Sequence, residues 1–424
     1  MKIVLINPPS PFLINQKSFP PLGILYLVSS LRNNKIDMDI VDLANQENNL
    51  ESALKVLSKA DLYGITSTTS QYVYAKRIKD ILRKLNPSAK IIIGGAHPSS
   101  VPDKCREDGF DTVVVGEGEN AIVDIVKKYE VSGKVPDILN LPYIDDMDSI
   151  PYPARDMLDI NSYWYDIDGN KATTLITSRG CPYKCAFCSK DVWKNKTRFH
   201  SEEYIYKELK EIISKYGFKY FLFLDDTITL NRNRLLGLCS KIKELNIKWR
   251  CYARANTTRD MLVAMKDAGC VEVGVGVESG SQKILDTIGK HLTVDQNAKF
   301  IKECKEVGII ANVFIMIGLP GETYETVSET KKWMEEVRPD KFGFNIFMPY
   351  IGTPIYNNPS KYDIIIHDIP EDKSWVKGRQ GEYSAFVSTS GLSSDEILKL
   401  FTELFEYYTD LLGWKPGIGV KVKT

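Results

Sequence analysis

Short apolar runs alternate with amphipathic stretches along most of the 424-residue chain, and this alternation limits the possible folds more than any other feature. Runs rich in valine and isoleucine predict strands that are buried on both faces. Strands that alternate with helices predict a parallel sheet covered by helices on both sides. Residues 1–140 are therefore predicted to form a doubly wound, flavodoxin-like Rossmann domain. Its predicted strands lie in residues 2–8, 37–43, 60–67, 89–95 and 111–118.

A second α/β series follows a proline-containing stretch. This stretch, residues 141–170, is predicted to be an extended linker, because proline fixes φ and cannot donate a backbone hydrogen bond. Six strand–helix units in residues 171–356 predict a partial (β/α)6 barrel. Residues 357–424 are predicted to be a mainly helical C-terminal segment that closes the barrel, with a helix near 393–412. The predicted barrel strands are residues 172–178, 220–226, 248–254, 271–277, 310–318 and 341–347.

The charged residues balance, with 55 Lys and Arg against 55 Asp and Glu. Binding to nucleic acid or to an anionic membrane surface depends on surplus positive charge, so the balance argues against both partners. No stretch approaches the roughly 20 apolar residues of a membrane-spanning helix. The N-terminus also lacks the long apolar core of a signal peptide. We therefore expect a cytoplasmic protein that acts on a small molecule or a peptide.

Small and hydroxyl-bearing residues follow the predicted strands of the N-terminal domain. In such sheets, ligands bind beyond the carboxyl ends of the strands. Glycine lets a ligand approach the backbone, and hydroxyl groups can donate hydrogen bonds to its polar edges. The alternative is that the glycines only form tight turns. The candidate ligand-binding residues are Thr66, Ser67, Thr68, Gly94, Gly95, Gly116, Glu117 and Gly118.

Three of the eight cysteines lie close together just after the first predicted barrel strand. Cys181, Cys185 and Cys188 have the spacing Cys-x3-Cys-x2-Cys. Three thiolates this close would repel one another, so the spacing indicates a metal or a cluster. A [4Fe-4S] cluster held by three thiolates leaves one iron open to another ligand. A zinc site with His200 as the fourth ligand is the alternative. The other five cysteines are expected to be buried thiols.

Polar residues also end the predicted barrel strands, where barrel enzymes carry their chemistry. Asp225 and Asp226 offer carboxylates that could accept hydrogen bonds from an ammonium group. Arg254 could pair with a carboxylate, and the alternative is a salt bridge at the rim of the barrel. Glu322 is expected in the first turn of a helix, where its charge complements the helix dipole.

The cysteine spacing, with Phe187 just before the third cysteine, resembles the signature of the radical S-adenosylmethionine (SAM) superfamily. The resemblance implies that the open iron binds the amino and carboxylate groups of SAM. An electron from the cluster would cleave SAM to methionine and a 5′-deoxyadenosyl radical, which abstracts a substrate hydrogen. An external donor such as flavodoxin or ferredoxin would supply the electron.

The same resemblance implies roles for residues at the barrel strand ends. Asp225 or Asp226 would contact the amino group of SAM, and Glu278 would lie near its ribose hydroxyls. Backbone groups beside Ile317 and Gly318 would read the adenine edge. The implied SAM-binding residues are Phe187, Asp225, Asp226, Arg254, Glu278, Ser279, Ile317 and Gly318.

Residues 20–27, 91–99 and 113–119 resemble the cobalamin-binding domain that precedes many radical SAM enzymes. The resemblance implies that cobalamin binds at the strand ends of the N-terminal domain. The sequence contains no Asp-x-His-x-x-Gly motif, which supplies a lower axial histidine to cobalt in other cobalamin proteins. Cobalamin is therefore expected to be base-off, without a histidine ligand from that motif. His97 is expected to be a turn residue.

Together, the two resemblances imply a cobalamin-dependent methyltransferase that acts on an unactivated carbon, or less often on phosphorus. A carbon without acidity or a lone pair cannot attack a sulfonium, so it must first become a radical. One alternative is a radical SAM cyclase or oxidoreductase of the same architecture that transfers no methyl group and need not bind cobalamin. Another alternative is a non-catalytic iron–sulfur protein.

Overall fold

A computed structural model describes residues 1–13, 15–57, 59–369 and 383–412. The described residues divide into two compact units. The N-terminal unit contains residues 1–164 and 189–194, and the C-terminal unit contains residues 165–188, 195–369 and 383–412. The predictions for residues 370–382 and 413–424 lie outside the described residues. No helix in the described ranges has both the length and the apolar composition needed to cross a membrane.

The N-terminal unit contains a parallel sheet with the strand order β2-β1-β3-β4-β5-β6. Its strands are β1 (Ile3–Asn7), β2 (Asp39–Asp42), β3 (Leu62–Thr66), β4 (Lys90–Gly94), β5 (Thr112–Val115) and β6 (Ile138–Asn140). Its helices are α1 (Leu22–Asn33), α2 (Leu50–Lys55), α3 (Tyr72–Leu85), α4 (Ala96–Ser100), α5 (Pro102–Glu107) and α6 (Glu119–Ser132). The order of the first five strands confirms the predicted flavodoxin-like fold.

The central strands of this sheet are covered on both faces. Four of the five residues of β1 and of β3 are buried, as their continuous apolar runs predict. The sequence did not predict β6, because only its middle residue is buried and it forms no apolar run. Strand order reverses between β1 and β3, so the ligand crevice of such a sheet opens at their carboxyl ends.

Residues 141–164 belong to the N-terminal unit, and residues 152–156 contact helix α1. The backbone N–H of Ala154 donates to the carbonyl of Leu25 over 3.1 Å. The hydroxyl of Ser29 donates to the carbonyl of Tyr152 over 2.5 Å. Most of the predicted linker is thus attached to the N-terminal unit by hydrogen bonds.

The C-terminal unit contains a second sheet with the order β15-β14-β13-β12-β11-β8-β7. Its strands are β7 (Tyr165–Ile167), β8 (Asn170–Leu175), β11 (Tyr220–Phe223), β12 (Lys248–Ala253), β13 (Cys270–Glu278), β14 (Ile310–Ile317) and β15 (Lys341–Ile346). Strands β8 to β15 of this sheet are parallel, and β7 pairs antiparallel with β8. The six parallel strands confirm the predicted partial barrel, and β7 is an addition that the sequence did not predict.

Helices and two short antiparallel strand pairs complete the described part of the C-terminal unit. The pairs are β9 (Ser178–Arg179) with β10 (Arg198–Phe199), and β16 (Ile365–Ile366) with β17 (Val387–Ser388). The helices are α7 (Glu202–Tyr216), α8 (Arg232–Ile242), α9 (Arg259–Asp267), α10 (Gln282–Thr287), α11 (Val294–Val307), α12 (Tyr324–Val337), α13 (Pro354–Asn357) and α14 (Ser394–Leu412). Helix α14 confirms the predicted helical C-terminal segment.

Two aromatic rings close over strand β13 in the middle of the barrel sheet. A Cβ at Gly274 would lie 2.8 Å from the ring of Tyr252 and 2.9 Å from the ring of Phe314, so glycine permits this packing. Toward the amino ends of the strands, a cavity of about 180 Å³ is lined by these rings and by Glu272. Lys341 Nζ lies 2.7 Å from Glu272 there. Arg250 is a second cationic partner of Glu272 at this end of the sheet.

Candidate functional site

The three predicted cluster cysteines lie on a loop between β9 and β10, beyond the carboxyl end of β8. Cys185 is buried, Cys181 is partly buried and Cys188 is exposed, and all three are free thiols. The N–H of Cys188 donates to the carbonyl of Cys185 over 3.2 Å, so these two lie in one turn. No three His, Cys, Asp or Glu side chains in the described residues are already grouped around a metal-sized gap. The donor chemistry of three loop thiols fits an iron–sulfur cluster.

Arg254 lies beside the cysteine loop and is only 6% exposed. Its Nη1 is 3.9 Å from the sulfur of Cys185, and its guanidinium carbon is 3.9 Å from the centre of the Tyr183 ring. A cation here offsets part of the negative charge that three thiolates would bring to the loop. The predicted contact between Arg254 and SAM stays a prediction.

Asp225 holds the segment that leads into the cysteine loop. It is 1% exposed. It accepts hydrogen bonds from the N–H and hydroxyl of Thr177, at 2.6 and 2.5 Å, and from the hydroxyl of Ser178, at 2.6 Å. Asp226, in contrast, is exposed. The contact with the SAM amino group stays a prediction for both residues, but the protein already engages the oxygens of Asp225.

His200, the alternative zinc ligand, lies just after β10 and is 1% exposed. Its ring stacks on that of Tyr204, with the ring centres 4.0 Å apart and the planes 12° apart. The N–H of His200 donates to the carbonyl of Thr177 over 3.0 Å. His200 is thus part of the packing beneath the strand pair formed by β9 and β10.

Glu278 ends β13 and forms a buried ion pair that the sequence analysis missed. Its Oε1 lies 2.6 Å from Nζ of Lys290, and the two side chains are 9% and 8% exposed. Phe187 of the cysteine loop lies nearby, with its ring centre 5.9 Å from Lys290 Nζ. Lys290 belongs to no motif, and no local sequence signal marks a lysine as the partner of a glutamate twelve residues away. The ribose contact of Glu278 stays a prediction.

Ser279 is fully buried and faces helix α12. Its hydroxyl lies 3.0 Å from the hydroxyl of Thr330, and it accepts a hydrogen bond from the N–H of Ser281 over 3.1 Å. These bonds shape the turn after β13. The predicted SAM contact of Ser279 stays a prediction.

The turn after β14 is built around Gly318 and Glu322. Gly318 has a φ of +91°, and its N–H donates to Oε2 of Glu322 over 2.5 Å. Glu322 is fully buried, and burial raises its pKa to about 8. It precedes helix α12, whose N-cap is Thr323, so its carboxyl group supports the turn instead of lying in the first helical turn. Ile317 is buried, and its predicted adenine contact stays a prediction.

In the N-terminal unit, four of the predicted ligand-binding residues meet at the ends of β3 and β4. Ser67 N–H donates to the carbonyl of Gly94 over 2.8 Å. Gly95 has a φ of +110°, and a Cβ there would lie 2.7 Å from the carbonyl oxygen of Ser67 and 3.3 Å from Oγ1 of Thr66. The backbone of Ser67 therefore approaches too closely for any side chain at residue 95.

The other predicted residues of this edge have structural partners. Thr68 forms a capping box with Gln71. Gly116 N–H donates to the hydroxyl of Ser99 over 3.0 Å, and Glu117 Oε2 accepts from the N–H of Ile144 over 2.9 Å. A Cβ at Gly118 would lie 2.8 Å from a methyl group of Leu27. Their contacts with cobalamin stay predictions.

His97 is buried between Tyr72 and the strand ends. Its ring centre is 4.0 Å from that of Tyr72, and Nδ1 lies 3.3 Å from the hydroxyl of Thr69. Burial lowers its pKa to about 4, so the ring is neutral near pH 7. It is 5% exposed, and this packing suits a structural residue of the turn.

Both units match families of known proteins. The sequence model described as the radical SAM superfamily matches residues 175–334, and the one described as the B12-binding domain matches residues 16–126. The chain is also 35% identical over 381 residues to an uncharacterized methyltransferase of Pyrococcus horikoshii. The alignment covers 84% of this chain and 82% of that protein. The chain belongs to the radical SAM family with a B12-binding domain. It is a radical SAM enzyme, which excludes the non-catalytic iron–sulfur alternative.

Three further similar proteins have lower sequence identity to this chain. The anaerobic magnesium-protoporphyrin IX monomethyl ester cyclase of Cereibacter sphaeroides is 24% identical, over 80% of this chain and 60% of the cyclase. Among solved structures, the radical SAM methyltransferase TsrM from Kitasatospora setae, with cobalamin and a [4Fe-4S] cluster bound, has a TM-score of 0.73. That match has 17% identity and covers 95% of this chain and 90% of TsrM. The cobalamin-dependent radical enzyme OxsB has a TM-score of 0.75 at 19% identity, over 96% of this chain and 66% of OxsB. At these low identities, the likeness to TsrM and OxsB supports the fold of this chain and nothing further.

Proposed function

We propose that this enzyme transfers a methyl group to an unactivated carbon, or less often to phosphorus, of a small molecule or peptide. The observation that carries the proposal is the union of a B12-binding domain and a radical SAM unit in one chain. The relative from Pyrococcus horikoshii, matched over most of its length, is named a methyltransferase. When bound, the cluster supplies the electron that cleaves SAM to a radical, and cobalamin supplies the methyl group.

The residues of the radical SAM unit would bind and orient these groups. Cys181, Cys185 and Cys188 would hold the cluster, and Arg254 would offset part of its negative charge. Asp225 would keep the start of the cysteine loop in place. Glu278 would accept hydrogen bonds from the ribose of SAM, and backbone groups beside Ile317 and Gly318 would read its adenine. An external reductant such as flavodoxin or ferredoxin would deliver the electron.

The strand ends of the N-terminal unit would bind cobalamin in the base-off form, without a histidine ligand. Gly95 lies among these strand ends, where the close backbone of Ser67 admits only a glycine. His97 is packed against Tyr72 and is only 5% exposed, which suits a protein that offers cobalt no imidazole.

His97→Ala should therefore leave the absorption and EPR spectra of bound cobalamin unchanged. A spectral shift in this variant would contradict the absence of a histidine ligand.

The enzyme activity is tested with anaerobically reconstituted protein, SAM, hydroxocobalamin and a reductant. Formation of 5′-deoxyadenosine shows SAM cleavage, and a substrate that gains one CH2 by mass spectrometry shows methyl transfer. Replacing Cys181, Cys185 or Cys188 by alanine should abolish the visible absorbance of the cluster and the formation of 5′-deoxyadenosine. Cys304→Ala, which removes a buried thiol outside the loop, is the control and should retain both.

A second candidate is an oxidative cyclisation that transfers no methyl group. The cyclase of Cereibacter sphaeroides, similar over 80% of this chain, favours it. The same assay separates the two functions, because a cyclised product loses hydrogens and gains no carbon. A methyl group from isotopically labelled SAM in the product would reject this candidate.

A further inference from the structure

A buried ion pair joins two parts of the radical SAM unit that are separate in the sequence. Lys290 Nζ lies 2.6 Å from Glu278 Oε1, and each side chain is less than a tenth exposed. Glu278 ends β13, whereas Lys290 follows α10. A buried charge is costly unless it is paired, so each of these groups depends on the other to stay in place.

The pair occupies the space that a side chain at Gly276 would fill. A Cβ at Gly276 would lie 2.1 Å from Glu278 Oε1 and 3.0 Å from Lys290 Nζ. Glu278 has a φ of +69°, and the register between β13 and β14 shifts between Gly276 and Glu278. A non-glycine residue keeps such a backbone conformation only where its surroundings fix it. The salt bridge to Lys290 fixes the far end of the Glu278 side chain.

The segment that carries Lys290 also contacts the cysteine loop. The N–H of Ala186 donates to the carbonyl of Ile288 over 2.9 Å. The ammonium group of Lys290 lies 5.9 Å from the centre of the Phe187 ring. Ala186 and Phe187 both lie between the second and third cluster cysteines. Residues 288–290 therefore connect that part of the loop to the carboxylate of Glu278.

We propose that Lys290 is a positioning residue for SAM binding. It fixes the Glu278 carboxylate beside Gly276 and links that carboxylate to the cysteine loop. Lys290 acts through Glu278, because its ammonium group is already paired there. This inference rests on the proposed function, since it takes SAM as the ligand that Glu278 contacts.

The test is a double-mutant cycle on reconstituted full-length protein, with the dissociation constant of SAM as the readout. Lys290→Met should weaken SAM binding about tenfold, the loss of one charge-assisted hydrogen bond, and Glu278→Ala should weaken it at least as much. The double variant should bind SAM no more weakly than Glu278→Ala alone, because one residue acts through the other. Lys290→Arg should restore affinity to within about threefold of the wild-type value, because it keeps the charge.

Lys341→Met is the matched control. Lys341 also pairs with a buried glutamate, Glu272, at 2.7 Å, but near the amino end of β13, where Arg250 is a second partner of Glu272. The control should lower the unfolding temperature and leave SAM affinity unchanged. If Lys290→Met does not fold, Lys290→Gln takes its place in the cycle, because it removes the charge and keeps a donor. Unchanged SAM affinity in the Lys290 variants, or additive losses in the double variant, would overturn the inference.

The outcomes separate this inference from the proposed function. Wild-type protein that binds SAM and forms no methylated product would reject methyl transfer, while the cycle would still report on Lys290. Methylated product together with wild-type SAM affinity in Lys290→Met would reject only the role of Lys290.

Discussion

At the residue scale, buried carboxyl groups of the radical SAM unit have three kinds of partner, namely neutral donors, cationic side chains and backbone N–H groups. Asp225 accepts hydrogen bonds from neutral groups, and Glu278 pairs with Lys290. Glu272 pairs with both Lys341 and Arg250. Glu322 bonds only to backbone N–H groups among the described contacts. Burial without a cationic partner raises the pKa of Glu322 and favours its neutral form.

Asp225 gives the first prediction. Asp225→Ala removes the acceptor for three buried donors, and each unsatisfied donor costs ~1–3 kcal/mol, so we expect the free energy of unfolding to fall by about 3 kcal/mol. The cluster should also be lost faster in the variant, because the start of the cysteine loop is released. Chemical denaturation and the decay of cluster absorbance measure the two effects.

Asp226→Ala is the control for this prediction, because Asp226 is the exposed neighbour. Its stability should stay within about 0.5 kcal/mol of the wild-type value. If Asp226 contacts the SAM amino group, this variant weakens SAM binding at unchanged stability. Equal stability of the two variants would contradict the structural role of Asp225.

At the element scale, the turn between β14 and α12 depends on a proton. Burial raises the pKa of Glu322 from 4.5 to about 8, so the folded state binds this proton more tightly than the unfolded chain. The stabilisation is full below pH 4.5 and is lost as the pH rises toward about 8. The free energy of unfolding should fall by up to ~1.4 kcal/mol per pH unit across this window.

Glu322→Gln isolates this contribution, because glutamine does not titrate. Chemical denaturation at pH 6 and pH 8 should show a smaller loss of stability in the variant than in the wild type. Parallel pH profiles for the two proteins would show that Glu322 is ionised in the folded state.

Helix α14 packs on the last strand of the barrel sheet through an aromatic cluster. The ring of Tyr408 stacks on that of Phe344, with centres 5.6 Å apart, and meets Phe342 edge-on at 6.0 Å. Phe401 is also a buried residue of α14 and is 1% exposed. Ile397, Phe401, Leu404 and Tyr408 recur at helical spacing and form one buried stripe.

Phe401→Ala should therefore lower the free energy of unfolding by about 3–5 kcal/mol, because it leaves a cavity in this cluster. Leu411→Ala on the same helix is the control, since Leu411 is 38% exposed. The control should lose less than about 1 kcal/mol. Denaturant unfolding of both variants measures the difference, and similar losses would mean that α14 contributes little through this stripe.

At the scale of the whole molecule, the two units carry separate cofactor sites in this proposal. A variant with all three loop cysteines replaced by alanine should lose its iron and bind hydroxocobalamin with unchanged affinity. Gly95→Ala should keep its iron and bind hydroxocobalamin more weakly. A Cβ at residue 95 would lie 2.7 Å from the carbonyl oxygen of Ser67 and disturb the strand ends. Iron analysis and cobalamin titration of each variant measure this.

Gly133→Ala controls for the strain of a substituted glycine. Gly133 also has a positive φ, +66°, but a Cβ there meets nothing within 4 Å. It should keep both iron and cobalamin binding. Loss of both cofactors in either test variant would contradict independent sites.

The sequence by itself determined the two α/β architectures and the cysteine loop. Local sequence patterns predict both: apolar runs as long as a strand, amphipathic helical stretches between them, and three cysteines at fixed spacing. The short strands β6 and β7 escaped prediction because three residues with few buried positions leave no such pattern. Secondary structure and the spacing of ligands depend on residues that are close in the sequence, so the sequence alone predicts them.

Only the tertiary structure decided which groups surround the loop. Arg254 meets Cys185 across 69 residues, Asp225 meets Thr177 across 48, and Lys290 meets Glu278 across twelve. Glu322 was expected to serve a helix dipole, and the fold instead buried its carboxyl group against the N–H of Gly318. These choices depend on burial and on contacts between distant strands, and the energy of a charge is set by what surrounds it in space.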